Sequence, residues 1–393
     1  MIELDVGPVA HGGHFVARLD GRVVFVRHAL PGERVRARVT EERRDYLRAD
    51  AVTVLEPAPE RVVPPCPFAR PDACGGCDFQ HATPAAQRDL KGSVLADQLS
   101  RLGGLDISRV PVEPLAGDNL GWRTRVQFAV DAAGRLGFHK HRSHDVVPVD
   151  RCLIAHPAVR DLPAADRPDW PGWPPGGAVE AVASSGGDVT VLMRRSRTDR
   201  RWSLVDGAPR VHEKALGQAW SLDATGFWQV HPAAPERFAA VVLDLLQPRA
   251  GERAWDLYGG AGLFAAALAP HCGPVTAVET DRRAVAAGRR ALDGLDNVRF
   301  VTGDVARTLA DPRWRSVDLV VLDPPRAGAG RAVVAAIAKR SPRAVAYVAC
   351  DPAAFARDAR SFGELGYRLD ALRAFDAFPM THHLEAIGVF RPE

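Results

Sequence analysis

What is scarce in this chain constrains it first. Lysine occurs only at positions 91, 140, 214 and 339, leaving 47 of the 51 basic residues as arginine. Guanidinium groups pair with phosphate and stack on bases, so the bias suits an RNA binder, although the abundance of Ala, Gly and Pro ties part of it to a GC-rich genome. Long apolar runs are also missing, and none approaches the ~18 residues of a membrane span. The opening residues, MIELDVGP, carry neither the basic start nor the apolar stretch of a secretion signal. A cytoplasmic protein with no membrane partner is therefore expected. Six cysteines in 393 residues do not make a disulfide framework in a reducing compartment. No internal repeat is visible. The length exceeds what one core can serve and predicts two to four domains.

What is present divides into three regions. Residues 1–58 alternate short apolar runs with turns at LDGR and LPGE, which predicts a small β-barrel. Between Val16 and Arg48 nine arginines face five acids, so the barrel is basic and fits either a nucleic-acid module or a solvated charged hairpin. A proline-rich linker, EPAPERVVPPCPF, leads into residues 59–216. Here a cysteine group (Cys66, Cys74, Cys77) precedes a helical run ending on a glycine pair, AAQRDLKGSVLADQLSRLGG, and then a β-rich module. The helix over 85–104 is a candidate to pack on the next region. From 217 to 393 apolar strands alternate with helices, the rhythm of a parallel sheet covered on both faces.

The first β-turn-α unit of that region, DLYGGAGLFA, places Gly260 and Gly262 in a loose dinucleotide fingerprint, with Glu279 closing the next strand to hold ribose hydroxyls. Asp256 lies four residues before Gly260, and a carboxylate facing that pocket would repel a pyrophosphate and attract an ammonium. S-adenosylmethionine is therefore expected over NAD, with Asp304 placed to accept from an adenine amino group. Asp323, in VVLDPPRAG, and Cys350, in YVACDP, end the next two strands and converge on the same edge. A lone buried thiol is ordinarily a small hydrophobe; beside an acid at a cofactor edge it reads as a nucleophile.

At these residues the sequence resembles the uracil-5 RNA methyltransferases that carry an N-terminal TRAM domain and an iron–sulfur cluster. The resemblance rests on GFWQVHP, DLYGGAG, DPPRAG, YVACDP, THHLEAIGVF, the cysteine pattern and GFHKHRSHDVVPVDRC, and it covers nearly the whole chain. It implies a Rossmann-like class I methyltransferase domain, an OB-like TRAM barrel, a central iron–sulfur domain and a monomer. The implied substrate is a uridine of 23S ribosomal RNA, with the tRNA T-loop as the alternative and an RNA-binding protein with an inactive methyltransferase fold as the alternative class. By resemblance Cys350 adds to C6 of uracil, Glu385 removes the C5 proton, and Asp323 bonds near the target base. Phe227 stacks on that base, and Arg123 and Arg125 of WRTRVQF are assigned to the substrate. Gln229, Tyr258, Leu263, Glu279, Asp304 and Asp323 match the cofactor positions. The sequence departs from the family pattern at Gly259, Leu263, His231 and Asp351. Cys66, Cys74, Cys77 and Cys152 offer four soft ligands, which by spacing alone suit zinc or a [4Fe–4S] cluster; the resemblance favours the cluster. Cys272 has no role in this reading.

Overall fold

The computed structural model describes residues 1–165 and 167–393. Its N-terminal sheet orders six strands as Ile2–Asp5, Arg34–Glu42, Tyr46–Glu56, Arg22–Arg27, His14–Leu19 and Val9–Ala10. The predicted barrel is not closed, because the two terminal strands of that order share no ladder. The sheet curls instead: Gly7 N–H donates to the Val16 carbonyl at 2.8 Å, and Val16 N–H returns to Pro8 at 2.9 Å. Phe15, Val24, Val26 and Val35 fill the inside of the curl without exposure.

A second six-stranded sheet, all antiparallel, occupies the middle of the chain from Arg125 to Asp206. A hairpin of Arg210–Ala215 and Gln218–Asp223 follows it. The largest sheet has eight strands, in the order Val298–Thr302, Val275–Glu279, Ala254–Leu257, Leu319–Leu322, Ala344–Ala349, Glu385–Pro392, Tyr367–Asp376 and Val112–Pro114. Its first five strands run parallel, as their unbroken apolar runs require, and Glu385–Pro392 is inserted antiparallel. Ala254–Leu257, Leu319–Leu322 and Ala344–Ala349 are buried at every residue. Phe238, Phe264 and Trp220 cover one face of the sheet, and Phe355, Phe362 and Leu95 cover the other.

The edge strand Val112–Pro114 comes from outside the 217–393 segment and pairs parallel with Ala374–Asp376. Just before it in the chain runs the helix Pro84–Gln98, started by Thr83, whose hydroxyl accepts from Ala86 N–H, with proline in the first turn where its missing N–H costs nothing. This helix delivers Lys91 into the interior. Its ammonium lies 2.5 Å from Asp376 and donates to the Phe378 carbonyl at 3.0 Å, with Lys91 and Asp376 exposed by only 0% and 2%. Removing one partner of such a pair leaves an uncompensated buried charge, at a cost of about 3–5 kcal/mol. Lys91→Met is accordingly expected to lower the urea midpoint strongly, and Lys91→Met with Asp376→Leu to recover most of the loss. A single variant as stable as the parent would contradict this reading.

Candidate active site

The carboxyl edge of the parallel strands brings the predicted chemistry together. Ala349 pairs with Ala386, so Cys350 and Glu385 stand abreast one step beyond the ladder. Residues so opposed share a face, with Cβ atoms ~4.5–5.5 Å apart. Asp323 occupies the neighbouring strand end, after Leu322, which pairs with Tyr347. The three groups feel one another's charge. Burial pushes the Cys350 thiol up to about 12, and Glu385 and Asp323 add to the rise while Arg326 opposes it. Glu385, only 3% exposed, is held well above the ordinary carboxyl range by burial and then by Asp323. Burial lifts Asp323 to about 7. In the free protein the thiol is protonated at neutral pH, and burial beside Asp323 makes Glu385 resist ionisation.

The GFWQ run alternates in and out. Trp228 is buried against Trp220, their rings 5.1 Å apart, while Phe227 stands 72% exposed beside the site. Gln229 then turns inward and its amide donates to Asp323 at 3.4 Å. Trp220 fixes the neighbouring turn as well, its indole N–H donating to the Ala261 carbonyl at 2.8 Å.

That turn, Tyr258 to Gly262, covers the end of strand Ala254–Leu257. Tyr258 is left-handed at φ +59°, a conformation a side chain adopts only when its surroundings impose it. Gly262 must be glycine: φ is +85°, and a Cβ there would sit 2.6 Å from Phe300. Gly260 N–H donates to Glu279 at 3.0 Å, and nothing lies within 4 Å of where its Cβ would be. Asp256 differs from the sequence expectation. Its carboxylate lies fully buried beneath the turn rather than open to it, because one oxygen accepts the Ala265 N–H at 2.9 Å. The other oxygen has no hydrogen-bond partner among the described residues. Burial, with smaller contributions from the charges of Asp323 and Glu279, holds Asp256 up to about 7 against the lowering effect of the Ala265 N–H. Burial also lifts Tyr258 to about 12, with Asp304 beside it contributing. Asp304 spends one oxygen as the N-cap of the next helix, accepting from Arg307 N–H at 2.9 Å. Leu263 is buried and can present only its backbone.

The acids crowded at this edge, Glu279, Asp323 and Glu385, disfavour a pyrophosphate. A ligand bearing a sulfonium and an ammonium relieves the crowding, so these residues fit S-adenosylmethionine.

Arg125 is engaged within the protein through one terminal nitrogen. Its guanidinium bonds Glu180 at 2.9 Å and the Ala224 carbonyl, tying the central sheet to the chain just before Phe227. Arg123 donates through Nε to the Arg125 carbonyl at 3.1 Å.

The cysteines come from two separated stretches yet share one neighbourhood. Cys74 responds to charge on Cys152 and Cys66, Cys77 to Cys74 and Cys152, and Cys152 to Cys66. Burial raises all four thiols, with Cys74 reaching about 11. Each sulfur is faced by N–H donors: Phe68 and Ala69 at Cys66, Gly76 at Cys74, the Gln80 side chain at Cys77, and Ile154 and Ala155 at Cys152. Four sulfurs with N–H groups aimed at them match a cluster's needs in kind. As the side chains stand, no group of three or more His, Cys, Asp or Glu among the described residues is drawn together tightly enough to hold a metal ion.

Sequence reasoning missed the scaffolding. Asp358 accepts from Ala329 N–H at 2.7 Å and from the Tyr347 hydroxyl at 2.6 Å, anchoring the far end of the Asp323–Gly330 loop. His11, in the turn after Val9–Ala10, reaches across to Asp351 at 3.4 Å, next to Cys350. A buried acid on a helix and a histidine in a glycine turn carry no distinctive local signal.

An otherwise parallel sheet with one antiparallel strand inserted near its edge has the methyltransferase form of the nucleotide-binding fold. The structure of the Pyrococcus abyssi tRNA (uracil-54, C5)-methyltransferase in complex with S-adenosyl-L-homocysteine superposes with a TM-score of 0.74, covering 98% of this chain and 100% of that one at 21% identity. Residues 1–52 match the TRAM domain, and residues 210–392 match the family described as tRNA (Uracil-5-)-methyltransferase. An uncharacterized RNA methyltransferase of Streptomyces avermitilis is 46% identical over 99% of this chain and 98% of its own. The 23S rRNA (uracil(1939)-C(5))-methyltransferase RlmD of Alkalilimnicola ehrlichii is 35% identical over 100% of this chain and 96% of its own. This chain belongs to the TRAM-containing RNA uracil-5-methyltransferase family. No helix among the described residues is long and apolar enough to cross a membrane.

Because its thiol is lifted to about 12, Cys350 of the free protein is expected to alkylate slowly with iodoacetamide at pH 7. The rate should climb about tenfold per pH unit through pH 10, followed by mass spectrometry of the Cys350 peptide. A plateau already reached by pH 8 would contradict the protonated site.

Proposed function

We propose that this enzyme methylates C5 of a uridine in 23S ribosomal RNA, with S-adenosylmethionine as the methyl donor. The observation that carries the mechanism is the pairing of Ala349 with Ala386, which sets a thiol and a buried carboxyl abreast. C5 of uracil is a weak nucleophile until a group adds at C6. Cys350, once deprotonated, supplies that group: its sulfur bonds to C6, and the C5–C6 electron pair is displaced toward the C4 oxygen. S-adenosylmethionine, when bound against Tyr258, Gly260, Gly262, Glu279 and Asp304, supplies an electrophilic methyl group. Glu385, ionised in the loaded site, then takes the C5 proton; the C5–C6 double bond re-forms and the C6–S bond breaks, freeing Cys350. Asp323, held by Gln229, is placed to accept a hydrogen bond from the base. Phe227 offers an exposed ring on which an extruded base stacks.

In this reading residues 1–58 bind RNA, 59–216 form the cysteine-bearing central module and 217–393 carry the chemistry. Ribosomal RNA is preferred to tRNA because the full-length relatives at 34–35% identity carry that substrate in their names, whereas the tRNA enzyme of known structure is similar in fold alone. A silent methyltransferase fold is disfavoured because both reacting groups are present and adjacent.

Cys350→Ala is expected to abolish 5-methyluridine formation on transcripts, and Glu385→Gln to accumulate a denaturation-resistant protein–RNA adduct. Turnover by Cys350→Ala, or product release at the parental rate by Glu385→Gln, would contradict the mechanism.

Cys66, Cys74, Cys77 and Cys152 would hold a [4Fe–4S] cluster, whose role is structural because four thiolates leave no open coordination site. Protein purified without oxygen should be brown and bleach on reduction. A colourless preparation with stoichiometric zinc would replace the cluster with the metal.

A further inference from the structure

Glu385 opens its strand at the end of an eight-residue strap, Ala377 to Leu384, which crosses from strand Tyr367–Asp376 back into the sheet. No hydrogen bond to the Glu385 carboxyl is found among the described residues, so its place is set by the main chain that leads into it. The strap, in contrast, is pinned along its length by groups from outside the catalytic sheet. Lys91 donates to the Phe378 carbonyl at 3.0 Å. Gln87, 1% exposed, accepts from Met380 N–H at 2.8 Å and donates to Met380 Sδ at 3.3 Å and to Ala82 at 3.0 Å. Asp78 and Phe79 both donate their backbone N–H groups to the Met380 carbonyl at 3.0 Å. Asp78 then accepts from His382, at 3.1 Å from its N–H and 2.6 Å from its ring. Met380 itself sits at φ +71°, a left-handed conformation for a residue with a side chain. Such a conformation persists only where the surroundings over-determine it, and every main-chain polar group of Met380 is engaged.

We infer that the turn after Cys77 and the helix that follows it act as a template for the general base: Gln87, Lys91 and Asp78 are positioning residues that fix the strap and thereby aim Glu385 at the C5 proton. The inference rests on the mechanism proposed above. Cys350 stands on a different strand, Ala344–Ala349 and its continuation, that none of these contacts touches. Loosening the template therefore acts on the last step and spares the first. In that step Glu385 takes the C5 proton, the C5–H electron pair forms the C5–C6 double bond and the sulfur departs with the C6–S pair. A displacement of about 1 Å at the base is enough to slow such a transfer by up to ~10²-fold.

The test uses full-length protein and substrate RNA carrying tritium at C5 of uridine, so that methyl uptake reports the early steps and tritium released to water reports the base. Gln87→Leu should take up methyl in a first turnover within about twofold of the parent, release tritium about 10-fold more slowly, and accumulate the adduct. Parental coupling of the two signals, or their loss in parallel with no adduct, would overturn the inference. Should Gln87→Leu fail to fold, Gln87→Met decides: its unbranched, adaptable side chain fills the same buried space without the amide that holds Met380. The same lag in tritium release is expected from it, and tight coupling would again overturn the inference. Tritium release that survives Cys350→Ala would instead sink the addition mechanism itself, so the two failures are distinguishable.

Discussion

The antiparallel pairing of Glu385–Pro392 with Ala344–Ala349 is the constraint from which the site follows. In a purely parallel sheet, every carboxyl edge ends in a turn to a helix, and neighbouring strand ends offer unrelated loops. Inserting one reversed strand puts the beginning of that strand beside the end of its neighbour. Here the beginning is Glu385 and the end leads to Cys350. Two groups separated by thirty-five positions are thereby held at cross-strand distance by backbone hydrogen bonds rather than by flexible side chains. The large aromatic residues behind them, Phe355 and Phe390 among others, keep the sheet rigid at that point.

The electrostatics of the edge follow from this packing. Burial makes Asp256, Asp323 and Glu385 difficult to ionise, and the charge of Asp323 raises the other two. Without a cation in the site the Cys350 thiol is neutral and Glu385 resists ionisation. A positively charged ligand changes the balance, because a nearby positive charge favours both thiolate and carboxylate. In the proposed mechanism, the same field that suppresses the Cys350 thiolate in the free protein couples its activation to cofactor arrival. Around this edge, Asp358 and Tyr347 brace the Asp323 loop, while Trp220 braces the glycine turn.

Much of this was legible in the chain. Unbroken apolar runs such as VDLVVLDPP and RAVAYVAC announce buried parallel strands, and residues just past their ends are where chemistry gathers. Asp323 and Glu279 could be placed on that ground, and Cys350 became a candidate because an acid converges with it on the same edge. Glu385 could not, since a strand-initial acid looks the same whether catalytic or salt-bridged; only the family resemblance singled it out. Asp256 was located on the correct strand but given the wrong outlook, because a strand position does not reveal whether the turn above it folds over the side chain. The partner that Arg125 finds across 55 residues, Glu180, was likewise invisible, because it is a property of the sheet register. The curled but unclosed N-terminal sheet and the edge strand Val112–Pro114 depend on long-range pairings with no local signature. The strap and its pins belong to the same category, as contacts between residues nearly 300 positions apart.

The most direct test of the central claim, that the thiol at position 350 bonds to C6 of a uridine beside a buried base, is to trap that bond. RNA containing 5-fluorouridine offers Glu385 a fluorine in place of the proton it must remove, so a reaction that begins at Cys350 cannot finish. Incubated with S-adenosylmethionine, the protein should form a stable complex in which mass spectrometry of the digest finds a methylated fluorouridine attached to the Cys350 peptide. An adduct on any other residue, or none formed while ordinary RNA is methylated under the same conditions, would contradict it.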